Sequence, residues 1–321
     1  MRTYRDDERG WLAYQPLLPA SLRLDDGTAP AEERWGWRGL DVHLDRFAAE
    51  DEGLTVVVLH GAGGYGRLLS SYGRVLRELG HEAVMPDLPG YGLTSVPARR
   101  FTYDTWVELV ADLVASERER SGRPVALLGA SMGGLLGWHA AAAARRGTVA
   151  GVVATTLIDP AVRRAVSRWP GSGVLVRFGG ALDALRVPMP LVAPVGGIAN
   201  DPELVRLFLA DRLGGANRVP LRFLRSWMAY RPAVEPEAWD RGPVLLAHPG
   251  ADRWTPTALS LAFFERLAGP RRFVELPNAG HLPVEEPGLS VLRDELAAFL
   301  TEAAGQTPPR GNGPPGEVAV G

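Results

Sequence analysis

The sequence predicts an α/β protein, a parallel sheet covered by helices on both faces and broken once by a helical insertion. Two observations carry this expectation. From Gly39 onward, short and almost continuously apolar β-rich runs alternate with helical runs, and the alternation lapses between about 160 and 240 before it resumes. Strands that read as unbroken apolar runs are buried on both faces, the condition of a parallel sheet between helix layers. A third observation is sharper. Gly129-Ala130-Ser131-Met132-Gly133 follows the apolar run Val125-Ala126-Leu127-Leu128 and precedes an Ala-rich helical run from Leu135 to Ala144, so it reads as strand, tight turn, helix.

Taken in order, residues 1–37 are rich in charge, Pro and Trp without clear periodicity and read as a peripheral arm. The core is expected over 38–159 and 241–304. Its elements are an alternating strand at 40–47, a buried strand at 54–59, an amphipathic helix at 67–79, a strand at 82–85, a helix at 103–120, a strand at 125–128, a helix at 132–146 and a strand at 149–158. Within 160–240, Val187-Pro188-Met189-Pro190 and Pro194-Val195-Gly196-Gly197 interrupt helical stretches at 201–212 and 221–230, as a helical insertion would. The alternation resumes with a strand at 244–247, a helix at 256–267, a strand at 272–276 and a final helix at 289–304. The Pro- and Gly-rich segment 305–321 reads as a disordered tail.

Composition removes several kinds of chemistry. At 321 residues, 46% hydrophobic and 22% charged, the chain can bury a large core and is neither fibrous nor wholly disordered. A formal net charge of −2 leaves no electrostatic footprint for nucleic acid. With no Cys there are no disulfides, Cys-ligated zinc or thiol catalysis. All 35 basic residues are Arg, which removes Schiff-base chemistry, pyridoxal anchoring and the phosphate-loop lysine. His43, His81, His139 and His248 show no convergent ligand spacing, so neither a metal nor another cofactor is expected. The N-terminal residues are too charged for a signal peptide, and no apolar run has membrane-spanning length. A cytoplasmic protein acting on a small molecule is the expectation; the sequence does not speak to oligomeric state.

Ser131 is the expected nucleophile, since small residues at Gly129 and Gly133 allow the sharp turn that lifts a serine hydroxyl above a sheet. Serine attacks poorly at its free pKa, so it needs a neutral imidazole within hydrogen-bond reach and a carboxylate to orient that imidazole. His281, in Pro277-Asn278-Ala279-Gly280-His281, lies in the loop between the last strand and the last helix. That is the sheet edge that displays Ser131. Asp252, in Gly250-Ala251-Asp252-Arg253, follows the preceding strand and is the expected acid; it also suits a helix N-cap. Asp159 is its rival from an equivalent edge position. The oxyanion of acyl transfer needs two donors, each contributing roughly 3 kcal/mol, and the amides of Ala62 and Met132 are expected to supply them, with Gly63 the second choice in the loop His60-Gly61-Ala62-Gly63-Gly64. His60 is read as a packing residue beneath that loop.

These residues, together with Asp87-Leu88-Pro89-Gly90-Tyr91-Gly92 after the next strand, resemble the α/β-hydrolase superfamily from about Gly39 to Ala304. The resemblance implies an eight-stranded, mostly parallel sheet with a cap inserted after the sixth strand, at roughly 160–240, and carboxylic ester hydrolysis as the commonest activity. His60-Gly61-Ala62-Gly63-Gly64 and Asn200-Asp201-Pro202-Glu203-Leu204-Val205 are similar to monoacylglycerol-lipase and lysophospholipase-like members. A serine rather than an aspartate nucleophile sets the chain apart from dehalogenase and epoxide-hydrolase branches. The expectation is therefore a serine hydrolase working through an acyl-enzyme on Ser131 on an ester with an aliphatic or lipid-like acyl group. Gly63 and the insertion residues Trp169, Phe178, Phe208 and Trp227 are the expected pocket walls. Alternatives are the same three residues used for carbon–carbon bond hydrolysis, thioester hydrolysis or cyanohydrin cleavage, or a slow-turnover ligand receptor.

Overall fold

The computed structural model describes residues 2–6, 10–49, 53–160, 180, 182–189, 195–215 and 218–306. Eight strands form the main sheet: β1 (Ala31–Trp37), β2 (Leu40–Phe47), β3 (Thr55–Leu59), β4 (Glu82–Pro86), β5 (Val125–Gly129), β6 (Val149–Ala154), β9 (Val244–Pro249) and β10 (Arg271–Leu276). Their spatial order is β1-β2-β4-β3-β5-β6-β9-β10. The β1–β2 and β2–β4 pairs are antiparallel and the other five are parallel. In β3, Thr-Val-Val-Val-Leu is buried at every position, as are β4, β5, β6 and β9, because helices cover both faces.

One face carries α2 (Tyr103–Ser121), α3 (Met132–Ala143) and α6 (Thr257–Phe264). Trp138 of α3 meets Phe263 of α6 edge to face with ring centroids 5.0 Å apart. The other face carries α1 (Ser70–Glu78) and α7 (Gly288–Gln306), joined by the Arg293–Glu78 ion pair at 2.8 Å. Local chemistry sets the helix limits. Thr102 accepts the Thr105 N–H to begin α2, and Gly122, at φ +70°, ends it in the left-handed conformation that glycine adopts without Cβ strain.

Of the insertion, the structure describes a two-stranded antiparallel ladder, β7 (Arg186–Pro188) with β8 (Arg218–Pro220), and helices α4 (Pro202–Ala210) and α5 (Leu221–Ala229). Asp201 caps α4 by accepting the Glu203 N–H at 2.7 Å, with Pro202 in the first turn. The apolar face of α5 turns onto α2: Phe223 lies 4.5 Å from Trp106 between ring centroids, and Ser226 Oγ accepts the Tyr103 N–H.

The N-terminal segment departs from the reading of 1–37 as peripheral. Residues 31–37 are the edge strand of the main sheet, and upstream of them Tyr4, Trp11, Leu22 and Leu24 are buried. The Arg67 guanidinium lies between the Tyr4 ring (4.7 Å) and the Trp11 ring (4.9 Å) while it binds Asp45 through two 2.7 Å hydrogen bonds. Tyr4 also donates its hydroxyl to buried Asp87 at 2.7 Å. Long-range contacts of this kind leave no periodic trace in the segment itself.

Candidate active site

Ser131, Asp252 and His281 follow β5, β9 and β10, so all three stand at the carboxyl edge of the parallel sheet, where loops converge above the strand ends. Ser131 opens α3 with φ +56° and ψ −130°, a backbone conformation that costs a non-glycine residue about 1–3 kcal/mol. The turn closes through the Ala130 N–H to Leu59 O and the Gly133 N–H to Ala130 O. It is this tight because its glycines allow backbone to touch backbone: a methyl on Gly129 would run into the Gly133 carbonyl, and one on Gly133 into that of Leu59. Thr155, just past the end of β6, accepts the Ser131 N–H at 3.1 Å and fixes the turn from the neighbouring strand.

The side chains form one continuous relay. Ser131 Oγ is 2.7 Å from His281 Nε2, and His281 Nδ1 is 2.8 Å from Asp252 Oδ2. The Asp252 and His281 side chains are each 1% exposed, so this contact is shielded from water. Asp252 Oδ1 accepts the Trp254 and Thr255 N–H groups at 2.7 and 2.9 Å, which aims Oδ2 at the imidazole. The Trp254 indole stacks on the His281 ring at 4.7 Å with 23° between planes and limits its rotation. Asp159, the rival acid, pairs instead with Arg266 at 3.6 Å.

The loop after β3 completes the site. His60 is neutral and structural: its Nδ1–H donates to Gly61 O at 2.7 Å and its Nε2 accepts the Leu88 N–H at 2.9 Å. Burial pushes its pKa down to about 4. Gly61 packs on the nucleophile, where a Cβ would sit 3.1 Å from Ser131 Cβ and 3.2 Å from the Met132 N. Ala62 therefore stands beside Ser131. Ala62 and Ser131 both line one pocket with about 840 Å³ of empty space, its open mouth included, within the usual range for small-molecule sites. Its walls are mostly carbon: Leu18, Leu68, Leu69, Ile198, Leu204, Phe208 and Leu282.

Of the expected pocket walls, Phe208 lines this space and Trp227 does not, because the apolar face of α5 is spent on α2. Gly63 does not line it either. Its φ of +87° turns the chain away, and Phe208 covers it so closely that a Cβ would lie 2.8 Å from the ring. Trp169 and Phe178 lie outside the described residues. Sequence reading missed Thr155, Trp254 and the N-terminal residues Tyr14, Gln15 and Leu18, which also line the pocket. A stretch of Trp, Tyr and Leu in a segment without a regular period was the available sign for the last three. No group of three or more His, Cys, Asp or Glu among the described residues is placed to hold a metal ion, and none of the described helices is long and apolar enough to cross a membrane.

A doubly covered, mostly parallel sheet with a serine turn, a loop acid and a loop histidine at one edge defines an alpha/beta hydrolase. The sequence agrees: a model of the Alpha/beta hydrolase family matches residues 56–293, well over half of the chain, and the protein belongs to that family of hydrolases. Among solved structures, a soluble variant of monoglyceride lipase from Saccharomyces cerevisiae, in complex with a substrate analog, superposes with a TM-score of 0.70 at 16% identity, covering 86% of this chain and 96% of that one. The monoacylglycerol lipase of Paleococcus ferrophilus gives 0.62 at 23% identity, covering 82% and 99%. At these identities the likeness is one of fold. By sequence, an uncharacterized protein of Mycobacterium tuberculosis is 35% identical over 86 residues, 27% of this chain and 30% of that protein. Epoxide hydrolase 3 of Siraitia grosvenorii is 33% identical over 104 residues, 32% of this chain and 31% of that protein. The chain thus spans about 30% of the length of the curated relatives it matches.

Proposed function

We propose that the protein is a serine hydrolase that cleaves a carboxylic ester with an aliphatic acyl group. The observation that carries this reading is the unbroken relay from Asp252 Oδ2 through both ring nitrogens of His281 to Ser131 Oγ, at 2.8 and 2.7 Å. Asp252 holds the imidazole with its proton on Nδ1, so Nε2 presents a lone pair to the serine hydroxyl. As Ser131 Oγ attacks the acyl carbon, its proton passes to His281 Nε2 and the carbonyl oxygen takes up negative charge. The Ala62 and Met132 amides are the donors for that charge. Collapse expels the alcohol, which takes the proton from His281 and leaves the acyl group on Ser131. Water, deprotonated in its turn by His281, then releases the acid and frees the serine.

The nucleophile separates ester from epoxide chemistry. A carboxylate that opens an epoxide forms an ester, which water can cleave. A serine would form an ether, which water cannot cleave under these conditions, so Ser131 suits acyl transfer and not the covalent route to epoxide hydrolysis. The apolar walls around Ser131 support an aliphatic acyl group. Steady multiple turnover of p-nitrophenyl butyrate and octanoate tests the proposal. A single burst of p-nitrophenol without further turnover would favour a ligand receptor, and no release at all would refute ester hydrolysis.

A further inference from the structure

We propose that the N-terminal turn Trp11–Leu17 and the residue after it, Leu18, form a wall that selects the length of the acyl chain, an inference that rests on the ester-hydrolase reading of Ser131. Tyr14, Gln15 and Leu18 line the same pocket as Ser131 and His281, and Leu204 and Phe208 of α4 line it as well. The acyl chain therefore runs between a segment that precedes the sheet and a helix of the insertion.

This segment is fixed to the body of the protein at several points. Trp11 is buried against the Arg67 guanidinium, which also binds buried Asp45. Tyr14 donates its hydroxyl to Asp211 Oδ2 at 3.1 Å, and Tyr65 donates to the same oxygen at 2.8 Å, so this wall is tied to the residue that ends α4. Gln15 Oε1 accepts the Leu24 N–H at 2.7 Å, and Arg23 Nε donates to Leu18 O at 2.8 Å, which folds 15–24 back on itself. A wall held at both ends does not yield readily to an oversized ligand.

The same bonds decide the chemistry of the surface. The Tyr14 hydroxyl donates to Asp211, the Gln15 Oε1 accepts from Leu24 and its Nε2 donates to Trp11 O at 3.4 Å, and the Leu18 side chain has no polar atom. What the segment offers the ligand is mostly carbon, which suits a hydrocarbon chain.

Leu18 is the place to change the wall. In a folded Leu18→Trp protein, the ratio of kcat/KM for p-nitrophenyl octanoate to that for the acetate is expected to fall about tenfold, and in Leu18→Ala the optimum moves to a longer ester. An unchanged ratio in both variants overturns the wall. If Leu18→Trp does not fold by circular dichroism and thermal melting, the Leu18→Ala profile decides alone. Binding is read separately in the Ser131→Ala background, by displacement of an apolar fluorescent probe with 1-hexanol, 1-octanol and 1-decanol. Adding Leu18→Trp, or Leu18→Ala where the Trp variant does not fold, is expected to change the affinity for 1-decanol relative to 1-hexanol by about tenfold, weaker for Trp and tighter for Ala. An unchanged ratio of these two affinities overturns the proposal, whereas a shifted ratio in a protein that cleaves no ester overturns only the hydrolase reading.

Discussion

Replacing Asp252 with Asn should disable the enzyme without disturbing its fold, and the structure dictates why. Asp252 Oδ1 accepts two backbone N–H groups, from Trp254 and Thr255, and only an oxygen can occupy that position. The Asn amide nitrogen is thereby placed where Oδ2 now meets His281 Nδ1. Two donors cannot share that contact, so the imidazole moves its proton to Nε2 and can no longer accept one from Ser131. Flipping the amide would instead break both backbone hydrogen bonds in a buried site, at about 1–3 kcal/mol for each group left unsatisfied. The expected loss in kcat is about 10⁴-fold, the size seen for this change in serine proteases with the same three residues, or about 5.5 kcal/mol of transition-state stabilisation. The assay is steady-state hydrolysis of p-nitrophenyl butyrate, beside Asp159→Asn as the comparison, after thermal melts have shown both variants folded. Asp159 pairs with Arg266 in a partly exposed contact, so its variant should keep activity within about twofold. More than a tenth of the activity remaining in Asp252→Asn, or a crippled Asp159→Asn, would refute the assignment.

Two glycines eight residues apart should respond in opposite directions. Gly129→Ala forces a methyl into the Gly133 carbonyl and should destabilise by more than about 3 kcal/mol in urea unfolding, whereas Gly137→Ala within α3, whose added methyl would meet Leu59 and Leu127 at ordinary contact distances of 3.5 and 3.6 Å, should stabilise by about 0.5–1 kcal/mol. Acid should weaken the fold through its buried neutral histidines. Burial pushes the pKa of His60 down to about 4 and that of His139 to about 3, so between pH 6.5 and about 4 the unfolded chain binds protons that the folded one does not. Each contributes stability that is lost at about 1.4 kcal/mol per pH unit as pH falls through that window. Asp45, raised to about 6 by burial, works in the opposite sense below pH 6, so the histidine contribution is read by difference. His139→Gln should flatten the slope of unfolding free energy against pH by about 1.4 kcal/mol per unit, and an unchanged slope would show that His139 does not carry it.

The residues proposed for catalysis were legible in the sequence because each follows an unmistakable strand by a short fixed distance. Ser131 lies two residues past β5, Asp252 three past β9 and His281 five past β10, so finding the apolar runs was nearly enough to bring them to one edge. Strand β1 was missed for the converse reason. Ala-Glu-Glu-Arg-Trp-Gly-Trp is an edge strand with much of its surface in solvent, and its charges mask the alternation. Ladder strands β7 and β8 have three residues each, too few to show a period. The pocket walls were the least legible part. Trp227 and Phe208 look equally apolar in sequence, and only the docking of α5 on α2 sends one into packing while α4 leaves the other at the cavity. Likewise, Tyr14 and Leu18 are held at the pocket by partners distant in sequence, Arg67 for Trp11 and Asp211 for Tyr14.

The central claim is that Ser131 is the group that becomes acylated. Intact-mass spectrometry after treatment with a fluorophosphonate, with the adduct mapped by peptide analysis, tests it most directly. One adduct per chain on Ser131, abolished in a folded Ser131→Ala protein and slowed by competing ester substrate, is the expected result. An adduct on another residue, or stoichiometric labelling that persists in folded Ser131→Ala, would contradict it.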